Sequence, residues 1–357
     1  LELLKPEFGQ LNFADVGQTE RRRVARHFIQ RKRENIKRWL HQVTPFPERE
    51  AREVNYSLSL LYNSFYLNLL QFARSISSSQ KAESQQVKLI RSWAAIALLR
   101  GAMSSPAMAK EMLKKRQEKA LDIEDVSGIP SVQGTLFEDL EVVDDTSRTD
   151  LLEKLQAEVQ EFSELQKLYE QAETLCSLEH DYKAQTALNI IKKWLREGYQ
   201  PIIFCKYIST ANYLADLLKS NLPSKVDVQA ITSELADEQR KESIDLMGGS
   251  EQRVMVATDC LSEGINLQAY FTAVLHYDLP WNPNRIEQRE GRVDRFGQDA
   301  EIIKTIVLHS EDNPMDKFVF EVLIKKVREI QKAIGISISI GENTKSIMTE
   351  AANRILF

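Results

Sequence analysis

Apolar residues in the first half of the chain recur at intervals of three and four, which is the spacing of a helix with one buried face. Ser-rich or acidic stretches separate these segments. The stretch 122–148 also contains Pro130 and two glycines, which is typical of a surface connection. The pattern predicts helices over residues 20–40, 59–75, 88–101, 108–121 and 150–178.

The pattern changes near Asp181, where short apolar segments begin to alternate with amphipathic ones. Unbroken apolar strands separated by helices predict a parallel sheet that is covered on both faces. Ligands of such sheets bind at the carboxyl ends of the strands, so residues 258–268 and 278–298 are candidate site segments. The predicted strands are 201–205, 226–231, 253–257, 273–277 and 302–308, and the predicted helices are 184–197 (closed by Gly198), 210–220, 236–247 and 314 to about 333.

Composition bounds the class of protein. A chain of 357 residues, 43% apolar and 28% charged, predicts two or three globular domains. No apolar run approaches the ~18–20 residues of a membrane span. The three cysteines are too far apart for a zinc site or a disulfide framework, so we expect free thiols in a reducing cytoplasm and assign no metal. The start, Leu1-Glu2-Leu3-Leu4, lacks an initiator Met and a secretory pattern, so we expect a piece of a longer polypeptide.

Charge is unevenly distributed around a net value of −5. Residues 21–38 contain nine Lys or Arg and one acid, Glu34. Such a segment suits contacts with phosphate groups, and a solvated helix face explains it equally well. Arg31, Lys32 and Arg33 are the candidate nucleic-acid contacts in this segment.

The segment 288–298 has the strongest chemical signal. Arg289, Arg292 and Arg295 are three residues apart, so on one helix they share a face. Guanidinium groups on one face repel each other unless anions meet them, and their planar forks suit phosphate oxygens. Gly291 permits close approach of the backbone. The alternative is local salt bridges to the acids at 287, 290 and 294.

A second segment, 258–268, follows a buried strand. Small and hydroxyl residues with Gly264 at a strand-to-helix junction can direct main-chain N–H groups at an anion. A capped helix start explains these residues almost as well, so the signal depends on the two segments occurring together and in this order.

The two segments resemble motifs V and VI of superfamily-two helicases, the second being close to the pattern QRxGRxGR. Residues 277–283 resemble the D-x-x-W-N-P element of Swi/Snf-type translocases, and 295–298 match the R-x-G-Q ending of that group. Residues 201–205 look like the first strand of the second RecA-like domain, and 21–37 with 46–50 resemble the exit from the first. Asp294 departs from the Gly of many relatives, and motif V is closer to bacterial stand-alone members than to chromatin remodellers.

The resemblance implies a RecA-like α/β fold, in which helices flank a parallel sheet. A mostly helical region precedes this sheet, and a C-terminal helix follows it. The implied organisation is an exit segment at 1–50, a helical region at 51–180, the second RecA-like domain at 181–310 and a helical extension at 311–357.

The resemblance also implies roles for individual residues. Arg292 and Arg295 reach the γ-phosphate of ATP as arginine fingers, and Gln288 senses the nucleotide. The other nucleotide-site candidates are Asp259, Gly264, Asn266, Arg289 and Gly291, and the remaining nucleic-acid candidates are Thr258, Ser262, Trp281 and Asn282.

The sequence contains no phosphate-binding loop of the form G-x-x-x-x-G-K-[ST], and it contains no acidic D-E-x-H or D-E-A-D box. Phosphoryl transfer needs the phosphate cradle, the metal and the positioned water as well as the finger. We therefore expect that this chain alone does not hydrolyse ATP, and that the first RecA-like lobe of the same polypeptide binds most of the ATP and Mg²⁺.

Three functions remain open on the sequence. The first is the second lobe of an ATP-driven motor on double-stranded DNA, and the second is the corresponding lobe of an RNA or single-strand helicase. The third is a non-catalytic scaffold whose helices at 80–178 bind a partner protein.

Overall fold

A six-stranded parallel sheet lies at the centre of the described chain. The computed structural model describes residues 47–77, 85–121, 159–261, 267–280, 283–295, 297–321 and 344–356. The strands are β1 (Glu48–Asn55), β2 (Pro201–Phe204), β3 (Val226–Ile231), β4 (Gln252–Ala257), β5 (Ala273–His276) and β6 (Ile302–His309). They are ordered β1-β6-β5-β2-β4-β3, and each neighbouring pair is parallel.

Helices cover both faces of this sheet because its strands are apolar on both sides. Ile203 of β2 packs in one core with α5 (Tyr182–Arg196) and α6 (Ile208–Asn221). Ile202 and Phe204, its neighbours in sequence, point to the opposite face and pack with α7 (Asp237–Gly248). The predicted α/β sheet is confirmed.

A helical core is formed by segments that lie between β1 and β2 and after β6 in sequence. It consists of α1 (Leu60–Ser77), α2 (Gln85–Ser104), α3 (Pro106–Leu121) and α4 (Val159–Leu175), together with helical residues 314–321 and α9 (Thr344–Ile355). The side chain of Arg74 on α1 donates hydrogen bonds to the carbonyl oxygens of Ile355 and Leu356, which satisfies backbone acceptors at the end of α9. The helical region and the C-terminal extension therefore share one core.

The predicted elements recur with small shifts at their ends, and α8 (Pro283–Glu290) lies in a candidate site segment. Gly198 has a φ of 87°, the left-handed conformation expected of a residue that ends a helix. The predicted helix 20–40, the connection 122–148 and residues 322–333 lie outside the described residues. Within the described part of the chain, no helix combines the length and the apolar character that a membrane crossing requires.

Strand β1 differs from the prediction, which began the helical region at residue 51. The segment Glu-Arg-Glu-Ala-Arg-Glu-Val-Asn has no apolar run, so its pattern gives little sign of a strand. It forms one because β6 offers a free edge, and an edge strand can keep charged side chains in solvent.

The start of α5 places a carboxylate in the protein interior. Asp181 caps the helix by accepting a hydrogen bond from the Ala184 N–H at 3.0 Å, and it accepts another from the Tyr213 hydroxyl at 3.2 Å. Burial raises the pKa of Asp181 to about 6, although these hydrogen bonds and Lys183 oppose the shift. The folded protein therefore holds this proton more tightly than the unfolded chain does.

We predict that Asp181→Asn stabilises the protein at neutral pH. The contribution of Asp181 is complete below about pH 4 and is lost as the pH rises through about 6, whereas Asn keeps the capping acceptor and cannot ionise. The free energy of unfolding should rise by about 1–3 kcal/mol at pH 7.5 and change little at pH 4. Denaturant unfolding at both pH values checks this, with the exposed Asp216→Asn as control. An equal difference at the two pH values would contradict the prediction.

Candidate functional site at the carboxyl edge of the sheet

Three strands end at the same edge of the sheet and place polar residues there. Phe204, the last residue of β2, pairs with Ala257 of β4 and His276 of β5. Lys206, Asp259 and Asp278, which follow these strands, consequently lie at one edge. This is the edge at which the sequence predicted a site.

Arg289 and Asp259 form a bidentate ion pair that joins α8 to the segment after β4. Nε of Arg289 donates to Oδ1 of Asp259 at 2.6 Å, and Nη2 donates to Oδ2 at 2.9 Å. Burial alone would raise the pKa of Asp259, but the charge and hydrogen bonds of Arg289 outweigh it and hold that pKa below its usual value. The half-exposed Arg285 adds a longer contact of 3.2 Å to the same carboxylate.

The prediction that three arginines share one outward helical face is wrong for Arg289. Arg289 is only 4% exposed, and its guanidinium also donates to the Asp278 carbonyl oxygen at 2.9 Å. Helix α8 ends at Glu290, so Arg292 and Arg295 lie in the turns that follow it. Arg292 is half-buried and Arg295 is exposed.

Gly291 is the first residue of the turns that follow α8. Its N–H donates to the Glu287 carbonyl oxygen at 2.8 Å, and a Cβ at this position would lie only 3.0 Å from that oxygen. The close approach that Gly291 permits is therefore to the preceding helical turn. Val293 is fully buried, which fixes the middle of the loop in the core.

The two acids nearest this loop pair with a distant arginine. Nη1 of Arg49 on β1 donates to Glu290, while Nε and Nη2 donate to Oδ2 of Asp294 at 3.0 and 2.5 Å. Arg49 is separated from these acids by more than 240 residues of sequence. At the other end of the loop, the Gln298 amide donates to the carbonyl oxygens of Phe271 and Val293.

Glu290 also contacts His276, which is buried in the core. Its Nε2 lies 3.3 Å from Oε1 of Glu290, and the ring stacks on Phe204. Burial lowers the pKa of His276, although Glu290 opposes the shift, so the imidazole is neutral near pH 7.

Asp278 joins the helical core to the sheet. Its carboxylate accepts hydrogen bonds from Lys183 Nζ at 2.8 Å, the Ser104 hydroxyl at 2.7 Å and the Lys206 N–H at 2.9 Å. Burial alone would raise the pKa of Asp278, but Lys183 outweighs it and lowers that pKa. The Lys183 ammonium also lies 4.4 Å from the centre of the Tyr277 ring.

The remaining predicted site residues fall into three groups. Gln288 is exposed on α8. Thr258 is buried, and its Oγ1 has no hydrogen-bond partner within the described part of the chain. Its nucleic-acid contact remains a prediction, and the buried hydroxyl is not accessible to a large ligand. The residues outside the described ones are Ser262, Gly264, Asn266, Trp281, Asn282, Arg31, Lys32 and Arg33.

Sequence reasoning missed the roles of Arg49, Lys183, Arg285 and the Asp278 carboxylate. Each acts through a partner that is remote in sequence, and no periodicity or short spacing marks such a pair. The quoted segments 46–50 and 277–283 did contain Arg49 and Asp278. What was missing was the position of β1 beside β6, which brings Arg49 to the loop.

This edge suits a bound anion. Arg295 and Gln288 are exposed, and Arg292 is half-buried. The carboxylates of Asp259, Asp278 and Asp294 form ion pairs with basic side chains, so their charge is compensated locally. Guanidinium forks in this setting fit the oxygens of a phosphate group.

The part of the chain that contains β2 to β5 is similar to known proteins. Residues 182–297 match the family model described as "Helicase conserved C-terminal domain". The chain is 33% identical over 153 residues to "Uncharacterized ATP-dependent helicase YqhH" of Bacillus subtilis, covering 43% of this chain and 26% of that protein. It is 29% identical over 136 residues to "ATP-dependent RNA helicase eIF4A" of Meyerozyma guilliermondii, covering 38% and 33% respectively. The matches therefore span a third or less of each relative.

Comparison of structures extends the likeness over nearly the whole chain. The "SWI2/SNF2 ATPase core domain" of Sulfolobus solfataricus superposes with a TM-score of 0.52 at 16% identity. This match covers 95% of the present chain and 54% of the other. At that identity the likeness shows a shared fold, in which the sheet is RecA-like.

We predict that the Arg289–Asp259 pair holds the edge together. Asp259→Ala should lower the free energy of unfolding by about 3 kcal/mol, since it leaves the buried Arg289 guanidinium without its carboxylate. Arg285→Gln is the matched control because it removes a half-exposed contact to the same Asp259, and it should cost less than about 1 kcal/mol. Denaturant unfolding of both variants checks the prediction. Equal losses would mean that burial of Arg289 does not decide the cost.

Proposed function

We propose that the chain is the second lobe of an ATP-dependent translocase or helicase that acts on double-stranded DNA. The match of residues 182–297 to the family model of the helicase conserved C-terminal domain supports this proposal. The first lobe of the same polypeptide would hold most of the ATP and its Mg²⁺. The present lobe would supply arginine fingers and part of the nucleic-acid cleft. ATP-driven closure and reopening of the two lobes would then move the nucleic acid stepwise.

The loop after α8 is the observation that carries this proposal. The loop carries Arg292, which is half-buried, and Arg295, which is exposed, and its ends are anchored by Arg49 and Gln298. A preorganised cation near a transferring phosphoryl group stabilises the charge of the transition state. Gln288 lies in the last turns of α8 and would contact the same nucleotide.

The buried contacts of the edge support a role for Arg289 and Asp259 in linking motifs rather than in direct phosphate binding. Hydrogen bonds to Asp259 and to the Asp278 carbonyl oxygen already occupy three of the five N–H donors of the Arg289 guanidinium. Through this pair, a displacement of the nucleotide-facing loop would reach the segment after β4. That segment contains the predicted nucleic-acid residues Thr258 and Ser262.

Double-stranded DNA is the preferred substrate because residues 277–283 carry the D-x-x-W-N-P element of Swi/Snf-type translocases. An RNA helicase is the second candidate, and the similarity to the relative named as an RNA helicase favours it.

We predict that this chain restores nucleic-acid-stimulated ATP hydrolysis when it is mixed with a separately produced first lobe. Arg295→Ala should lower the restored rate about 10³-fold or more, since an arginine finger contributes 10³–10⁵ to phosphoryl transfer. Steady-state phosphate release measures the effect. Arg196→Ala, which removes an exposed arginine at the end of α5, is the control and should leave the rate unchanged. An unchanged rate with Arg295→Ala would remove the finger assignment.

We further predict that duplex DNA stimulates the restored activity more than single-stranded DNA or RNA of equal length. The stimulation should weaken as salt is raised, because phosphate contacts release counterions. Titrating each nucleic acid at two salt concentrations measures both effects. Stronger stimulation by RNA would favour the RNA helicase. No stimulation by any of the three nucleic acids would favour the non-catalytic scaffold.

A further inference from the structure

Arg49 connects the first described strand to the loop that carries Arg292 and Arg295. Its guanidinium spans two acids at once, Glu290 at the end of α8 and Asp294 within the loop. The side chain of Asp294 is fully buried and that of Glu290 is 8% exposed, while Arg49 itself remains 34% exposed. This geometry requires a planar fork, which Arg provides and Lys does not.

The charges around this contact show what Arg49 compensates. Glu290 also contacts His276, whose burial lowers its pKa and leaves the ring neutral near pH 7. Without a cation between them, the carboxylates of Glu290 and Asp294 would repel each other. An uncompensated buried carboxylate is costly, and it would attract the guanidinium groups next to it in sequence. Those groups belong to Arg292 and Arg295.

We propose that Arg49 is a positioning residue for the arginine-finger loop: its contacts with Glu290 and Asp294 fix the loop and, with it, the positions of Arg292 and Arg295. This inference rests on the proposed function and adds a regulatory link to it. β1 is the first described strand of this sheet, and Arg49 lies on it, paired in register with Ile303 of β6. In the proposed two-lobe protein, a shift of β1 along β6 would move Arg49 relative to the loop.

A matched comparison is available on the same strand. Arg52 also belongs to β1 and also forms an ion pair, but its partner is Glu50 on the same strand and its side chain is 65% exposed. Replacing Arg52 removes a positive charge from β1 without touching the loop. Both substitutions remove one positive charge from β1, but only Arg49→Gln removes the contact to Glu290 and Asp294.

Hydrogen exchange of the 357-residue chain tests the positioning role without requiring ATP hydrolysis. Arg49→Gln should speed amide exchange in peptides covering 288–298 by roughly tenfold, while peptides covering β5 stay within about twofold. Arg52→Gln should leave all of these peptides unchanged. Arg49→Lys keeps the charge and should give an intermediate rate, and it replaces Arg49→Gln as the test if that variant does not fold. An unchanged exchange rate at 288–298 overturns the proposal.

The restored ATPase provides a second readout that a merely structural role does not give. Arg49→Gln should lower kcat roughly 10- to 100-fold with little change in KM for ATP, because the fingers act mainly in the transition state. A rise in KM with unchanged kcat overturns the proposal. If Arg295→Ala has no effect while the exchange result holds, the proposed function fails and the anchoring by Arg49 stands.

Discussion

The buried ion pair between Lys183 and Asp278 is the contact on which the arrangement of this protein depends. Asp278 lies two residues after the end of β5, and its carboxylate binds α5 through Lys183 and α2 through Ser104. Its carbonyl oxygen accepts a hydrogen bond from Arg289. One residue thus fixes the helical core and the candidate site to the same edge of the sheet. A buried pair of this kind is costly to break, since either partner alone would be an uncompensated charge.

The arginines of this edge divide into two kinds according to their burial. Arg289 and Arg49 each satisfy two or more acceptors within the fold, so they define where α8 and the following loop lie. Arg292 and Arg295 lie beyond the end of the helix, Arg292 half-buried and Arg295 exposed. The two structural arginines fix the elements that carry Arg292 and Arg295, the proposed arginine fingers.

This division gives the proposed motor a physical basis for coupling. Arg49 connects the loop with Arg292 and Arg295 to β1. Arg289 and Asp259 connect α8 to the segment after β4. A nucleotide that draws the loop towards it would act on both connections. Such coupling needs discrete contacts that change together, and charged pairs within a packed core meet that requirement.

The sequence by itself determined the parallel sheet and the helical region and singled out residues 288–298 as a candidate site, because periodicity and short motifs are local properties of the chain. It did not reveal β1, whose charged residues form a strand only beside the free edge of β6. It also placed Arg289 with the outward arginines, although spacing alone cannot distinguish a guanidinium that meets a ligand from one that meets Asp259. Only the tertiary structure decided that, since the pairs Arg49–Asp294, Arg289–Asp259 and Lys183–Asp278 join residues 30 to 245 positions apart.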